Sequence, residues 1–430
     1  MAKNTLNIKT SLSDEKLHNT NRVKIFSYGF LSGYIYCFLT ITLQAVLTDL
    51  GYSITFISSL AFVLLPYSFK FLWSGFADDI KAKNIHNWLS LFVMIIGFNF
   101  LILVLAINSN KEFFYIMLFN LAFLGASFDI LTDINLIKNY NSDNRHHPLS
   151  LHIFGWRISS IFAGGGIIFL FNLIFKGDLN YLFIFSSFIF LACTLIFSIS
   201  SFKLMLQFFK KQKYHLLLLI PIISIFFIAT TSLYNFKESK SVFNSLKEIY
   251  IYLIFYKLFD LTLSSFVIIF LIKEFKLTLE YFGTINIILP LLAVLLCGYL
   301  WPHITKIFSL KSIMITSLIL KTTNIFLFIL INSLDYKSKS ALIILFSLNI
   351  ISSSFITYTF SNFLMRSIDE PRASFKYSIA SSLSTASLLI TVPIASFLIN
   401  NYSWNIFFLY IIILQLFSYI SIKNIKNSNQ

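Results

Sequence analysis

Two aspartates lie four residues apart inside an apolar run of the sequence. Asp129 and Asp133 lie in the stretch 126–133, near the end of a long apolar segment. On an α-helix, residues four apart share a face, and like charges there repel, which favours protonation of one of the two carboxyls. A carboxyl that binds and releases a proton suits a proton-coupled carrier. We therefore predict Asp129 and Asp133 as proton-coupling residues, the alternative being a structural pair satisfied by Arg157 or by backbone donors.

Further polar side chains stand inside other apolar runs. An ionisable group in the middle of a membrane costs about 2.5–3.5 kcal/mol on insertion scales, and such groups usually serve a function. Lys257 and Asp260, three residues apart, can also form an internal ion pair. Lys70 and Lys321 can instead extend toward the nearest membrane surface. The residues predicted to line a solute cavity are Gln44, Arg157, Lys257, Asp260 and Asn286.

A membrane enzyme of the prenyl-transferring kind is the alternative function. Such enzymes hold a Mg²⁺–diphosphate with aspartates three or four residues apart, and Asp129 and Asp133 have this spacing. A second aspartate-rich motif is missing, because Asp260 and Asp335 each stand alone. The three cysteines lie in apolar runs without the paired spacing of a metal site. We therefore favour a transporter without metal or cofactor over an enzyme.

The composition is that of a membrane protein. Hydrophobic residues make up 57% of the 430 residues and charged residues 12%, whereas soluble domains are about 25% charged. The net charge of +15 is spread over short gaps between apolar runs, as expected for cytoplasmic loops. It therefore does not indicate a nucleic-acid-binding domain.

Twelve apolar runs are each long enough to span the hydrocarbon layer of about 30 Å as a helix. We predict an all-α polytopic membrane protein with two six-helix halves at 25–201 and 250–422, and with cytoplasmic tails at 1–24 and 423–430. The runs lie near 25–47, 54–76, 88–107, 113–137, 149–174, 181–201, 250–272, 281–301, 312–332, 340–364, 377–399 and 404–422.

The central segment 202–249 decides the topology of the second half. It is basic and contains one further apolar run, 216–235. With twelve spans, Lys and Arg concentrate on the cytoplasmic side, whereas a thirteenth span would divide them more evenly. We therefore predict twelve spans, both termini in the cytoplasm, and a re-entrant or interfacial segment 216–235, with thirteen spans as the alternative.

Several segments together resemble a known family. These are 26–33, 43–45 and 47–48; 66–67 and 69–74 with Asp78; 126–127, 129–130 and Asp133; Gly155, Arg157 and 163–165; and 256–258 with Asp260 and 270–272. They are similar to the AmpG-type muropeptide permeases of the major facilitator superfamily.

The resemblance implies a proton-driven importer of N-acetylglucosaminyl-anhydro-muramyl peptides across the bacterial inner membrane. A sister branch carries acetyl-CoA, so the solute stays open. The implied mechanism is alternating access, in which two halves rock about a midplane cavity. We expect a monomer that contacts solute, protons and lipid. The gating candidates are Gly33, Lys70, Asp78, Gly164 and Gly165.

Four positions depart from the family pattern. Phe128 stands where the family usually has glutamine, and Ile287 where it usually has a basic residue. Asp78 is followed by Asp79, whereas the family usually has arginine after this aspartate. The stretch 349–354 replaces an acidic, glycine-rich one. We therefore expect a divergent member whose solute or coupling differs from that of an ordinary muropeptide permease.

Overall fold

The computed structural model describes residues 22–74, 77, 80–139, 146–197, 249–334, 336, 338–367 and 373–423. Within these ranges the chain forms twelve long helical segments, and ten of them are long and apolar enough to cross a membrane. The apolar parts of the other two, Leu179–Thr194 and Leu279–Ala293, are shorter. The segments are α1 (Arg22–Asp49), α2 (Ile54–Leu72), α3 (Ile85–Ile107), α4 (Lys111–Asn139), α5 (146–173), α6 (Leu179–Phe197), α7 (Tyr250–Glu274), α8 (Leu279–Ile307), α9 (Leu310–Ser333), α10 (Lys339–Ser367), α11 (373–401) and α12 (Trp404–Lys423).

These helices confirm the all-α, multi-pass fold and lie within a few residues of the predicted runs. Asp78, the tail 1–21, the segment 198–248 and the tail 424–430 lie outside the described residues. The choice between twelve and thirteen spans, and the domain boundaries around 202–249, therefore stay predictions.

Hydroxyl side chains in the short connections start several helices. Ser53 accepts a hydrogen bond from the backbone N–H of Phe56 at the start of α2. Thr278 and Ser309 do the same for α8 and α9. The first N–H groups of a helix have no partner within it, so these caps allow helices to begin directly after tight turns.

Aromatic side chains fill the interior of both bundles. In the N-terminal half (α1–α6), the rings of Phe38 and Phe100 meet edge to face with centroids 5.2 Å apart. In the C-terminal half (α7–α12), Phe270 packs against Phe408 in the same way, also at 5.2 Å. Edge-to-face pairs are a favoured geometry for aromatic rings, which explains how a phenylalanine-rich sequence builds two cores.

Two helices contain a π-helical turn at a point of mutual contact. These turns are Phe38–Thr42 in α1 and Phe162–Gly166 in α5. A π turn leaves carbonyl groups outside the ordinary helical bonding pattern, and a lipid environment offers them no water. Thr42 Oγ1 donates to the carbonyl of Ala163 at 2.6 Å, and Asn286 of α8 donates its Nδ2 to the carbonyl of Gly164.

The described parts of the two halves meet mainly where α1 contacts α7, α2 contacts α11 and α5 contacts α8, and smaller contacts join α4 to α11 and α1 to α8. Across the α2–α11 contact, Ser58 Oγ donates to Ser396 Oγ at 2.9 Å and Asn400 Nδ2 donates to Thr55 Oγ1 at 3.0 Å. The α5–α8 contact includes the Asn286–Gly164 hydrogen bond. Movement of one half against the other would change the contacts of the residues at these positions.

Candidate functional site

A buried ion pair connects three helices of the N-terminal half. Lys70 Nζ of α2 lies 2.5 Å from Asp129 Oδ2 of α4, and Ser32 Oγ of α1 donates to Asp129 Oδ1 at 2.8 Å. The Lys70 side chain is 7% exposed and that of Asp129 is 23% exposed. We name Ser32, Lys70 and Asp129 the first cluster. The interpretation that Arg157 neutralises Asp129 is wrong, because Lys70 occupies that role, and Lys70 is buried rather than extended toward the membrane surface.

Asp133 lies one helical turn beyond Asp129 on α4. It is half-buried and close enough to Asp129 for their charges to repel, while Lys70 attracts it. Among the described residues it has no hydrogen bond or ion pair. His152 of α5 is also buried near Asp129, and its Nε2 has no hydrogen-bond partner. Sequence reasoning missed His152, although a histidine inside the fifth apolar run was the available signal.

A second buried ion pair lies in the C-terminal half. Asp260 Oδ1 of α7 is 2.7 Å from Lys321 Nζ of α9 and accepts a hydrogen bond of 2.7 Å from Ser353 Oγ of α10. Lys321 also donates to Asn349 Oδ1 at 2.8 Å. We name Asp260, Lys321, Asn349 and Ser353 the second cluster. The Lys321 side chain is 0% exposed, so the expectation that it reaches the membrane surface is wrong.

Two other cations rest on aromatic rings. Lys257 Nζ lies 5.4 Å from the centre of the Phe360 ring. Arg157 Cζ lies 5.6 Å from the ring of Trp156 and 5.5 Å from that of Tyr358, which belongs to the opposite half. The alternative of an internal ion pair between Lys257 and Asp260 is wrong, since Asp260 binds Lys321 instead.

A cavity of about 180 Å³ lies between the halves, bounded by α1, α2, α7 and α11. Gln44 Oε1 and Tyr67 Oη, on its wall, are buried and have no hydrogen-bond partner. Buried polar atoms are seldom left unpaired, and among the described residues the Tyr67 hydroxyl lies beside Gly125 of α4. The polar lining residues are Tyr36, Thr40, Gln44, Ser58, Tyr67, Ser68, Ser264, Ser265 and Thr385.

Known proteins resemble this chain, one of them over nearly its whole length. No known protein-family profile matches it. The transporter AmpG 4 of Rickettsia conorii is 26% identical over 403 residues, which cover 91% of this chain and 93% of that protein. AmpG 4 of Rickettsia felis is 27% identical over 154 residues, or 34% of this chain and 37% of that protein.

Solved structures of transporters share the fold. A POT family transporter in complex with 5-aminolevulinic acid superposes with a TM-score of 0.67 at 11% identity, covering 94% of this chain and 96% of its own. A D-xylose-proton symporter gives 0.62 at 12% identity, with the same coverage of both chains. The nucleoside transporter NupG gives 0.59 at 14% identity and covers 94% and 99%.

The chain therefore resembles the AmpG transporters over nearly its whole length, and it shares the fold of solved transporters. The relatives are transporters rather than enzymes, which confirms the preference for a transporter over a prenyl-transferring enzyme. In the AmpG-like chain, Asp129 is engaged by Lys70 and Ser32 rather than paired with Asp133 around a metal. Among the described residues, no group of three His, Cys, Asp or Glu side chains is arranged to hold a metal ion.

The structure separates the five predicted cavity residues of the AmpG-like fold. Gln44 lines the cavity between the halves, whereas Asp260 is sealed in the second cluster. Asn286 bonds to the backbone of α5, and Arg157 and Lys257 rest on aromatic rings outside the residues that line the cavity. Their roles in binding solute stay predictions.

The described gating candidates are found at close helix contacts or in the first cluster. A Cβ added at Gly33 would lie 2.9 Å from Trp156 Cδ1, so Gly33 allows α1 and α5 to pack closely. Added at Gly165, it would lie 2.9 Å from the backbone oxygen of Asn286, and at Gly164 3.1 Å from Asn286 Nδ2. Gly164 and Gly165 therefore allow close contact between α5 and α8, across the two halves.

Three departures from the family pattern have structural roles here. Ile287 lies against Gly165, with its Cγ1 2.7 Å from where a Cβ would stand, so an apolar side chain fills the contact between α5 and α8. Asn349 accepts a hydrogen bond from Lys321 in the second cluster. Phe128 is fully buried and meets the Tyr28 ring edge to face at 6.3 Å.

Proposed function

We propose that this chain is a proton-coupled carrier that imports cell-wall muropeptides, or a related polar or anionic solute, by alternating access. The observation that carries the proposal is the first cluster, in which the ion-paired Asp129 lies beside Asp133, an acid with no partner among the described residues. Both acids lie on α4, and their lysine comes from α2. The names of the relatives support a muropeptide-type solute, and the inner membrane is the location that such a solute requires.

The first cluster offers a simple way to convert proton binding into movement. A proton on Asp129 ends the charge attraction between this carboxyl and Lys70, and a weakened pairing of a buried ammonium is unfavourable. Asp133, one turn away, is a second carboxylate that the Lys70 charge attracts. Proton exchange between the two acids would therefore shift α2 against α4, with Lys70 as the moving charge.

Two residues of the cavity wall lie close to Asp129 of the first cluster. Tyr36 and Tyr67 line the cavity, and both lie near enough to Asp129 to sense its charge. Their rings meet edge to face with centroids 5.3 Å apart. A shift of Lys70 and Asp129 would therefore reach the cavity wall through Tyr67 and Tyr36.

The cavity suits a solute rich in hydroxyl or amide groups. Gln44 and Tyr67 on the cavity wall have unsatisfied polar atoms that can accept or donate a hydrogen bond, and hydroxyl-bearing residues from both halves also line the cavity. A volume of about 180 Å³ corresponds to about six water molecules, which is smaller than a disaccharide with a peptide. The halves must therefore separate further to admit a muropeptide, as alternating access requires.

Uptake into proteoliposomes tests this proposal. Labelled anhydro-muropeptide is supplied outside purified, reconstituted protein, with and without an inward proton gradient. We expect accumulation only with the gradient, and its collapse when a protonophore is added. Uptake that is independent of the gradient would exclude proton coupling, and no uptake in either condition would exclude muropeptide as the solute.

A further inference from the structure

Asp260 has two lysines within reach and binds only one of them. Lys257 precedes it by three residues on α7, close enough for the two charges to attract. The carboxylate nevertheless pairs with Lys321 at 2.7 Å and accepts a second bond from Ser353. The Asp260 side chain is only 5% exposed, and its described hydrogen bonds and ion pair are all within the second cluster. Lys257 instead contacts the Phe360 ring.

Arg157 is in the same situation in the other half. Its guanidinium contacts Trp156 on its own helix and Tyr358 across the interface. Among the residues that the structure describes, neither Arg157 nor Lys257 has an ion pair, and their two positive charges repel each other. Two half-buried cations from opposite halves thus contact rings of the same helix, α10, and have no counter-charge among the described residues.

We infer that Arg157 and Lys257 form a binding site for a carboxylate group of the solute, spanning the two halves. The inference deepens the proposed transport function and depends on it only for the identity of the solute. A ring holds an exposed cation by about 0.5–1 kcal/mol, whereas charge-assisted hydrogen bonds are about twice as strong as neutral ones. A carboxylate is therefore preferred to the rings.

The geometry of the two side chains suits a planar anion. A guanidinium can bind both oxygens of a carboxylate at once, and an ammonium adds a compact third contact. One negative charge between the cations also removes their repulsion. Binding of the anion would consequently draw α5 of the N-terminal half toward α7 of the C-terminal half, which is the direction of closure around a solute.

Lys321 acts in this arrangement as a positioning residue. It never touches the anion, because its side chain is fully buried and its ammonium is bound to Asp260, Asn349 and Ser353. Its effect is to keep Asp260 away from Lys257. Without Lys321, Asp260 would turn to Lys257 and neutralise half of the anion site.

Thermal unfolding of the purified full-length protein tests the site without any transport step. The probes are N-acetyl-alanine, which carries a carboxylate, and its carboxamide, which is neutral but otherwise similar. A ligand that binds the folded state raises the unfolding temperature with its concentration, which gives an apparent Kd. We expect a saturable rise with the carboxylate and none with the carboxamide.

Variants assign the effect to residues. Arg157→Gln and Lys257→Gln should each weaken carboxylate binding by about tenfold or more, the loss expected for one charge-assisted hydrogen bond. Lys339→Gln is the matched control, since Lys339 also rests on a ring, that of Tyr281 at 5.4 Å, but lies outside the site. An equal response to both probes, no response to the carboxylate, or normal binding by Lys257→Gln would overturn the site.

A pair of variants tests the positioning role of Lys321. Lys321→Met should weaken carboxylate binding about as much as Lys257→Gln does, because Asp260 is released. Asp260→Asn combined with Lys321→Met removes both buried charges and should restore binding, even if the single variant folds poorly. Loss of binding in the double variant would overturn this role. Carboxylate binding without muropeptide uptake would leave the anion site standing and exclude only the solute.

Discussion

Ser353 of α10 donates a hydrogen bond to Asp260 of α7 at 2.7 Å. The N-terminal half has the same two residue types on the corresponding helices with their positions exchanged, since Ser32 of α1 donates to Asp129 of α4. A lysine completes each cluster, Lys70 in the first and Lys321 in the second. The second is sealed, whereas the first is partly exposed and has a further acid beside it. We therefore assign proton exchange to the first cluster and a fixed role to the second.

Replacement of Asp129 by asparagine should abolish gradient-driven uptake. The amide keeps the shape of the side chain but can neither carry the proton nor neutralise Lys70. We expect uptake to fall to the level measured without a gradient, with normal membrane insertion. Asp133→Asn should have the same effect. Glu112→Gln, an exposed acid on the same helix, is the matched control, and driven uptake by Asp129→Asn would refute the coupling role.

Loss of one partner of the first cluster should cost more stability than loss of both. Lys70→Met leaves the Asp129 carboxylate buried without its cation, and breaking a buried pair in this way costs about 3–5 kcal/mol. Lys70→Met combined with Asp129→Asn removes both charges and should recover most of that loss. Thermal unfolding in detergent measures both variants. A double variant less stable than Lys70→Met would show that the pair does not act as a unit.

A methyl group at Gly165 should impair transport, whereas one at Gly166 should not. The added Cβ at Gly165 would lie 2.7 Å from Ile287 Cγ1 and 2.9 Å from the Asn286 backbone, so α5 and α8 must move apart. At Gly166 the nearest atom would be 3.6 Å away, an ordinary contact. Uptake rates and thermal stability of the two alanine variants provide the comparison. Equal behaviour of both would mean that the close contact does not matter.

Residues 202–249 should lie wholly on the cytoplasmic side. Single cysteines at Ser239 and Lys276, introduced into a cysteine-free version, should react with a membrane-impermeant reagent from opposite sides. Ser239 is expected to react only in inside-out vesicles and Lys276 only in intact cells. Labelling of Ser239 in intact cells, with Lys276 reacting only in inside-out vesicles, would instead require thirteen spans and an inverted C-terminal half.

The sequence predicted the helices well because the length of an apolar run is set by the thickness of the membrane. It also identified Asp129, Lys257 and Gln44, since a polar group in such a run is conspicuous. It failed on the partners of the charges. Lys70 and Lys321 reach their acids from other helices, and the rotation of one helix against another leaves no trace in hydropathy. Nearness in sequence suggested Lys257 as one possible partner of Asp260, whereas the structure pairs Asp260 with Lys321.

Each of the two described ion pairs joins residues of a single half. Lys70 pairs with Asp129 in the N-terminal half, and Lys321 pairs with Asp260 in the C-terminal half. Across the α2–α11 and α5–α8 contacts, the described links are neutral hydrogen bonds, including those of Ser58 with Ser396 and of Asn286 with Gly164. Each such bond contributes about 0.5–1.5 kcal/mol. A single charge moving through a membrane potential of about 100 mV gains about 2.3 kcal/mol. The electrical energy of one proton is thus comparable to two or three of these bonds, so the resting voltage of a cell is large enough to offset several of the described polar links between the halves while both described ion pairs stay intact.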